Sequence, residues 1–409
     1  MKKITLLTIL YVLLPGCSVN EVITAEETEL IVAEAPPAEN MLLDIGIIQF
    51  AEGVPQDNEP SDTRIFEEIR AAESRYLAYH LKKTLQGSGH WGAVRVIPSS
   101  SAYTDVIIDG KIVESDGEFV NLEVGIRDAR GVPWFKKSYS TQTGVSSYSV
   151  NRDRRQDPYQ KIFNDIANDL RAHVAQMDAE AITDIRQVSE LQFFADMSPE
   201  AYGEHLATNE EGYTAAVRLP AENDPGVDRL RRIRERDRLV VDTLNEHYAN
   251  FYYGIAIPYH SWRKTAREES INYRQVKRSA NLQTLMGAVV LAGSLAVNTD
   301  SGGRQTRNIN RSLQGIGIQQ GWNSLFGGIS RRSEANIHLE SIKELSESFG
   351  AEAAPMVISV EGQARRLTGT AAAQYESWRR ILKQIYQSET GFTEPVDETL
   401  PERVPEPTG

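Results

Sequence analysis

The stretch from Asp105 to Thr141 leaves this chain the least freedom in how it can fold. Three β-rich runs lie there: Asp105 to Glu114 (DVIIDGKIVE), Glu118 to Asp128 (EFVNLEVGIRD) and Trp134 to Thr141. Asp116-Gly117 and Arg130-Gly131 separate them, and such pairs supply the positive φ angles that tight turns need. Leu122, Val124 and Ile126 alternate with polar residues, so one face of this meander must be covered while the other can meet water.

Two further strands are predicted upstream, Leu42 to Phe50 (LLDIGIIQF) and Val94 to Ile97. Between them, Ile65, Ile69, Ala72, Tyr76, Leu77, Leu81 and Leu85 recur mostly at three- and four-residue steps, which predicts a helix that Gly87 and Gly89 end. The glycine-rich GSGHWG at Gly87 to Gly92 follows this helix, so it reads as a helix stop and not as a phosphate cradle. A second helix, from about Pro158 to Asp178 (Ile162, Ile166, Leu170, Val174), is expected to cover the inner face of the sheet. The expected fold class is α+β, with an amino-terminal mixed α/β sandwich domain over residues 41–178. The 409 residues are enough for two or three domains.

Residues 179–283 read as a helical region. Val227 to Asn245 is dense in charge, and Tyr248, Phe251, Tyr252, Tyr253, Tyr259 and Trp262 form an aromatic cluster. Packing between helices is the plainer use of these rings, and a carbohydrate platform the sharper one. Pro258 is expected to kink or break the helix. Residues 333–388 read as a helix followed by a β-β-α unit (VISVEG, ARRLTGT, then Ala373, Tyr375, Trp378, Ile381, Leu382 and Ile385), and residues 389–409 as an acidic, proline-bearing tail without fixed structure. The β-β-α unit faintly resembles half of a BON domain, a periplasmic module associated with membrane surfaces.

Residues 284–332 stand apart. Leu285 to Val297 carries no charge, with Ala288, Ala292 and Ala296 at four-residue steps. Beyond the polar stretch Asn298 to Arg311, Gly317 and Gly321 form a GxxxG pair and Gly328 follows one heptad on. Small residues on one helix face let backbones approach closely, so a Gly/Ala-rich helical hairpin is expected. It has three competing uses: a buried core element, an oligomer surface, or a segment that enters a membrane. Gln314, Gln319, Gln320 and Asn323 make the second arm too polar for lipid unless it lines water.

At the amino terminus, Lys2 and Lys3 precede the apolar run Ile4 to Leu14, and Leu14-Pro15-Gly16-Cys17 follows. That is the layout of a secretory signal, residues 1–16. Leu14, Gly16 and Cys17 resemble the lipobox of bacterial lipoproteins. The resemblance implies acyl chains on Cys17, cleavage before it, and attachment to membrane. Pro15 departs from the usual residue there. Cys17 is the only cysteine, so no internal disulfide is possible. Ser18 in place of aspartate resembles the pattern that sorts to the outer membrane, facing the periplasm. Residues 17–40 carry six glutamates and Pro36-Pro37 and read as a solvated tether reaching roughly 25 Å.

The net charge of −13 becomes −15 once Lys2 and Lys3 are removed, which argues against nucleic acid as a partner. None of the seven histidines stands at metal-binding spacing, and neither a P-loop nor a GxSxG elbow is present. No catalysis, cofactor or metal is expected. The β-α-β-β-β-β-α order, with IGIIQF, LKKTLQGSG and TDVIIDGKIVESDGEFVNLEVGIRDARG, resembles the amino-terminal domain of TolB, the curli-secretion lipoproteins and the lipoprotein activators of peptidoglycan synthases. The resemblance implies a non-enzymatic envelope protein, an assembly or scaffold component of a complex such as an export apparatus, with envelope proteins or its own copies as partners. The alternatives are a lipoprotein that contacts peptidoglycan or activates a synthase, and a cryptic glycan hydrolase.

Overall fold

The computed structural model describes residues 27–54, 67–98, 103–149, 156–295, 340–347, 356–360 and 363–390. The α+β fold is as expected. Strand β1 (Ile45–Ile48) sits at the centre of the parallel part of a five-stranded sheet, between β2 (Val94–Ile97) and β3 (Val106–Ser115). β3, β4 (Phe119–Asp128) and β5 (Pro133–Gln142) complete the sheet as an antiparallel meander. The alternation works as predicted: Val120, Leu122, Val124 and Ile126 are buried, while Asn121, Glu123 and Arg127 on the opposite face are partly open.

Helix α1 (Glu67–Ser88) carries the chain from β1 to β2. It buries Ile69, Ala72, Leu77, Leu81 and Leu85, and Gly89 ends it at φ +70. Helix α2 (Gln160–Val174) buries Ile162, Ile166 and Leu170 beside α1 and β5. It is shorter than predicted because Asp178 caps the next helix, accepting a hydrogen bond from the Ala181 amide at 2.8 Å.

Residues 179–283 are not a separate helical region. Helix α3 (Ala179–Met197) and the short α4 (Pro199–Tyr202) lead into a small hairpin, β6 (Leu206–Thr208) and β7 (Thr214–Ala216). The Asn209 side chain closes its turn by accepting from the amides of Glu211 and Tyr213, with Gly212 at φ +87. Helix α5 then runs without interruption over Pro225–Leu295, 71 residues. Two expectations are thereby corrected. No boundary falls at residue 283 or 284, and Pro258 does not break the helix. Proline removes one helical hydrogen bond, here the one to the carbonyl of Gly254. Gly254 is exposed, so water can serve that carbonyl, while fully buried Ile255 and Tyr259 hold the turns on either side.

After residues 296–339 the chain is back on the body at helix α6, residues 340–347. Ile342 is buried there, and Ser346 accepts from Arg75 of α1 through its carbonyl and hydroxyl. Strands β8 (Met356–Val360) and β9 (Gln363–Leu367) and helix α7 (Ala371–Thr390) form the expected β-β-α unit. The helix is not independent. Tyr375 is fully buried and donates to Asp237 of α5 at 3.1 Å, and Arg379 pairs with Asp196 of α3. One contiguous hydrophobic core extends from Leu43 to Tyr386. Among the described residues these elements share that one core, because α3, α5 and α7 bury their apolar faces on one another and on the α/β layers.

The acidic tether is also shorter than predicted. From Thr28 to Ala33 the chain is docked as a strap on α2 and on the end of α1. The side chain of Asn164 donates to the Thr28 carbonyl and that of Asn168 to the Glu29 carbonyl, and the Asn168 side-chain carbonyl accepts from the Ile31 amide. The Ala33 amide donates to the Ser88 carbonyl.

Candidate functional site

The residues with the most unusual surroundings lie where α5 is joined to the body. Near its start, Arg238 meets Asp44 at 3.0 Å, and Asp242 pairs with Arg95 at 2.6 Å. One turn later, the Asn245 side-chain amide accepts from the Val96 amide and donates to the Val96 carbonyl, at 2.8 and 2.9 Å. It pairs the outer edge of β2 as a neighbouring strand would, and an unpaired edge is otherwise open to association.

The middle of the joint is sealed from water. Arg263 and Asp157 form a bidentate pair at 2.8 and 2.9 Å with side chains 1% and 3% exposed. Tyr76 donates to the same carboxylate at 2.8 Å. The Arg263 guanidinium also lies over the rings of Tyr259, Tyr159 and Tyr76, at 4.2, 4.9 and 5.6 Å from their centroids. Glu73 accepts from Tyr259 and Ser115 at 2.8 and 2.6 Å, and His80 bonds to the Tyr252 hydroxyl and the Gln160 side chain at 2.7 and 2.8 Å. Three helices and the end of β3 therefore share one polar network.

Burial alone would push the Asp157 carboxyl up, but Arg263 and His80 outweigh it and hold the group well below the usual carboxylate range. Glu73 goes the other way. Its burial raises the carboxyl although Arg70, Ser115 and Tyr259 pull it down. Burial lowers His80, against the pull of Asp157 and Gln160. One network thus holds a strongly acidic and a weakly acidic carboxyl side by side. Both are closed off by α5, so a substrate would have to displace that helix to reach them. Of the aromatic cluster, Tyr248, Phe251, Tyr252, Tyr259 and Trp262 are buried in this joint, and only Tyr253 is exposed. Helix packing is their use, and a carbohydrate platform is not available from them.

The joint ends at the Asp116–Gly117 turn between β3 and β4. Ser270 donates to the Asp116 carbonyl at 3.1 Å, and Arg274 is held by Asp116 and Glu118 over the ring of Phe119. Gly117 has φ +83, and a Cβ there would stand 2.3 Å from the Arg263 carbonyl and 2.6 Å from the Arg267 amide. The backbone of the turn touches the backbone of α5, an approach only glycine permits.

The two ends of the chain's path have a defined geometry. α5 passes His80 at Tyr252, Glu73 at Tyr259 and the turn at Ser270, so it leaves the body at the turn end of the sheet. The strap runs beside α2 from Asn164 toward Asn168. The Thr28 end of the strap is therefore the end nearer the start of α2, where Asp157 and Arg263 meet, which is the same turn end.

At the opposite end lies a polar cleft of about 700 Å³, lined among others by Asp44, Asp105, Arg186, Glu190, Arg234 and Arg238. Its charges are largely paired within the protein, for example Arg238 with Asp44 and Arg231 with Glu190. Burial raises the Asp105 carboxyl, and Arg234, lowered by burial, donates to Ser189 at 2.8 Å. Among the described residues no cluster of three His, Cys, Asp or Glu side chains is arranged to hold a metal ion.

Of the residues that the sequence nominated, Ala288 and Ala292 lie one turn apart on α5. Cys17, Ala296, Gly317, Gly321 and Gly328 lie outside the described residues, as do the signal segment and nearly all of the acidic tail. The joint was missed by sequence reasoning, although a signal existed. Glu73, His80 and Thr84 fall on the buried stripe of α1, and polar residues on an apolar stripe mark a buried network. Comparison with protein-family models, curated proteins and solved structures finds no match.

Proposed function

We propose that this chain is a lipid-anchored protein of the cell envelope, held in the outer membrane through acyl chains on Cys17 and facing the periplasm, that serves as a non-enzymatic assembly or scaffold component of an envelope complex. The observation that supports this most is α5, a 71-residue helix bolted to the body by a sealed ionic joint and leaving it at the end toward which the amino-terminal strap points. A helix of that length spans about 107 Å, well beyond a body of this size, whose radius of gyration is roughly 20 Å. Such an arm suits reaching a partner or another copy. The perturbed groups His80, Glu73 and Asp157 each have partners of their own inside the joint, which suits a structural role.

Mass measurement of the lipidated protein after detergent extraction tests the reading. A defined oligomer or complex, reduced to a monomer by Gly317→Leu with Gly321→Leu, supports it. A monomer that crosslinks to no envelope protein in cells overturns it. The polar cleft favours a second reading, contact with peptidoglycan, because it lies at the end that would face away from the membrane. Sedimentation with purified sacculi, lost on Arg186→Glu, tests that reading.

A further inference from the structure

α5 continues far past its last described contact with the body. Lys277 and Arg278 are its final charges, and from Ser279 to Thr299 twenty-one residues carry none. The first seventeen of these, to Leu295, are helical. After Asp300, Arg304, Arg307 and Arg311 a second uncharged run follows, Ser312 to Ser330, nineteen residues closed by Arg331-Arg332. The seventeen helical residues from Ser279 to Leu295 measure about 26 Å, most of the roughly 30 Å of bilayer hydrocarbon. In the sequence, Lys277-Arg278 precedes the first run and Arg331-Arg332 follows the second. Among the described residues no helix is long and apolar enough to cross a membrane, and the description of α5 stops at Leu295, inside the first run.

The strap sets where the membrane can be. Thr28 and Tyr252 stand near one level of the body, linked through Asn164, Gln160 and His80. From Thr28 back to Cys17 is eleven residues, at most about 38 Å when fully extended. From Tyr252 to Leu295 α5 rises about 64 Å at 1.5 Å per residue. A lipid on Cys17 therefore cannot reach a membrane surface that lies beyond the tip of an upright α5. With α5 upright, the surface has to cross the helix some 25 Å or more before Leu295, close to Lys277 and Arg278. Laying the body flat would also satisfy the tether, but it would press a chain of net charge −15, the −13 of the full sequence less Lys2 and Lys3, on anionic headgroups.

We propose that α5, from Ser279 to Leu295, enters the bilayer that carries the lipid of Cys17. This inference rests on the lipid-anchor reading. Lys277 and Arg278 then sit among the headgroups, where basic residues are favoured. Asn281 and Gln283 are costly against lipid tails, which favours several copies inserting together.

The test uses the full lipidated chain with Ala292→Cys, whose thiol is then the only free one because Cys17 carries the thioether. An environment-sensitive NBD probe is attached there, the protein is reconstituted into phosphatidylethanolamine–phosphatidylglycerol vesicles, and Glu246→Cys on the body is the reference. The expected result is quenching by doxyl-labelled lipid and iodide quenching about five-fold weaker than at residue 246, because hydrocarbon excludes ions. Equal iodide quenching at the two sites, or doxyl quenching only by headgroup-level labels, overturns insertion. Intact mass on the same sample reports acylation independently. Acylated protein with a water-exposed probe defeats this inference alone, and unacylated protein defeats the anchor reading on which it rests. Ala288→Cys repeats the measurement one turn away should Ala292→Cys fail to accumulate.

Discussion

Asp157→Asn probes the joint most directly. The substitution keeps an acceptor for the Tyr76 hydroxyl but leaves the Arg263 guanidinium, 1% exposed, without a counter-charge. Breaking one side of a buried pair costs about 3–5 kcal/mol, mostly because the surviving charge stays buried. At about 2–4 °C per kcal/mol for a body of this size, the midpoint of thermal unfolding should fall by roughly 6–20 °C. Circular dichroism melts and urea titrations read this. The cost should be partly relieved by adding Arg263→Met, since removing both charges abolishes the desolvation penalty. At least half of the loss should return. The pH dependence has a definite sign. Asp157 is depressed in the folded protein, so its contribution is present above the unfolded pKa near 3.9 and fades as pH falls toward the folded value. The gap between the parent protein and Asp157→Asn should therefore close in acid. A single variant that loses less than about 1 kcal/mol, or a double variant no more stable than the single, would refute the assignment of this pair as the bolt of α5.

His80 is lowered in the folded state, so it favours folding above about pH 6.5 and that preference is lost as pH drops below it; the parent protein should lose stability more steeply between pH 7 and 5, by chemical denaturation, than His80→Gln. Gly117→Ala should cost 2 kcal/mol or more, from the positive φ and the collision with the α5 backbone, and hydrogen exchange should rise first over residues 263–278; unchanged exchange there would show that the turn does not hold the helix. Replacing Asn164 and Asn168 together by Ala should cost about 1–3 kcal/mol, lower the melting midpoint by about 2–12 °C, and expose Thr28 to Ala33 to protease before the rest of the body opens.

The sheet was legible in the sequence because a two-residue alternation bounded by Asp116-Gly117 and Arg130-Gly131 has few other solutions, and the meander strands end within about two residues of the prediction. The β6–β7 hairpin was not legible, since three-residue strands carry no periodicity. The continuity of α5 was hidden for another reason. Pro258 weakens the helix locally, and what overrides it is the burial of Ile255, Tyr259 and Trp262 against distant residues. The joint shares that character, because Glu73, Asp157 and Arg263 are brought together by helices that are far apart in sequence. The docking of the strap was concealed by its composition, with glutamates and prolines that read as solvated while its backbone carbonyls accept hydrogen bonds from Asn164 and Asn168.

The strap also decides how the body would bear a load. Tension applied at Cys17 enters the folded part at Thr28 and is directed along α2. The bonds to Asn164, Asn168 and Ser88 lie one after another along the line of pull, so they are strained together in shear and not opened singly as in a zipper. Past Ala33 the chain turns into β1, which is flanked by β2 and β3, and the force would pass into the middle of the sheet. A pull on the amino-terminal side would thereby be carried into the central sheet, and of the contacts that seat α5 only the pair of Arg238 with Asp44 lies on that path, while the buried pair of Arg263 with Asp157 stays out of it.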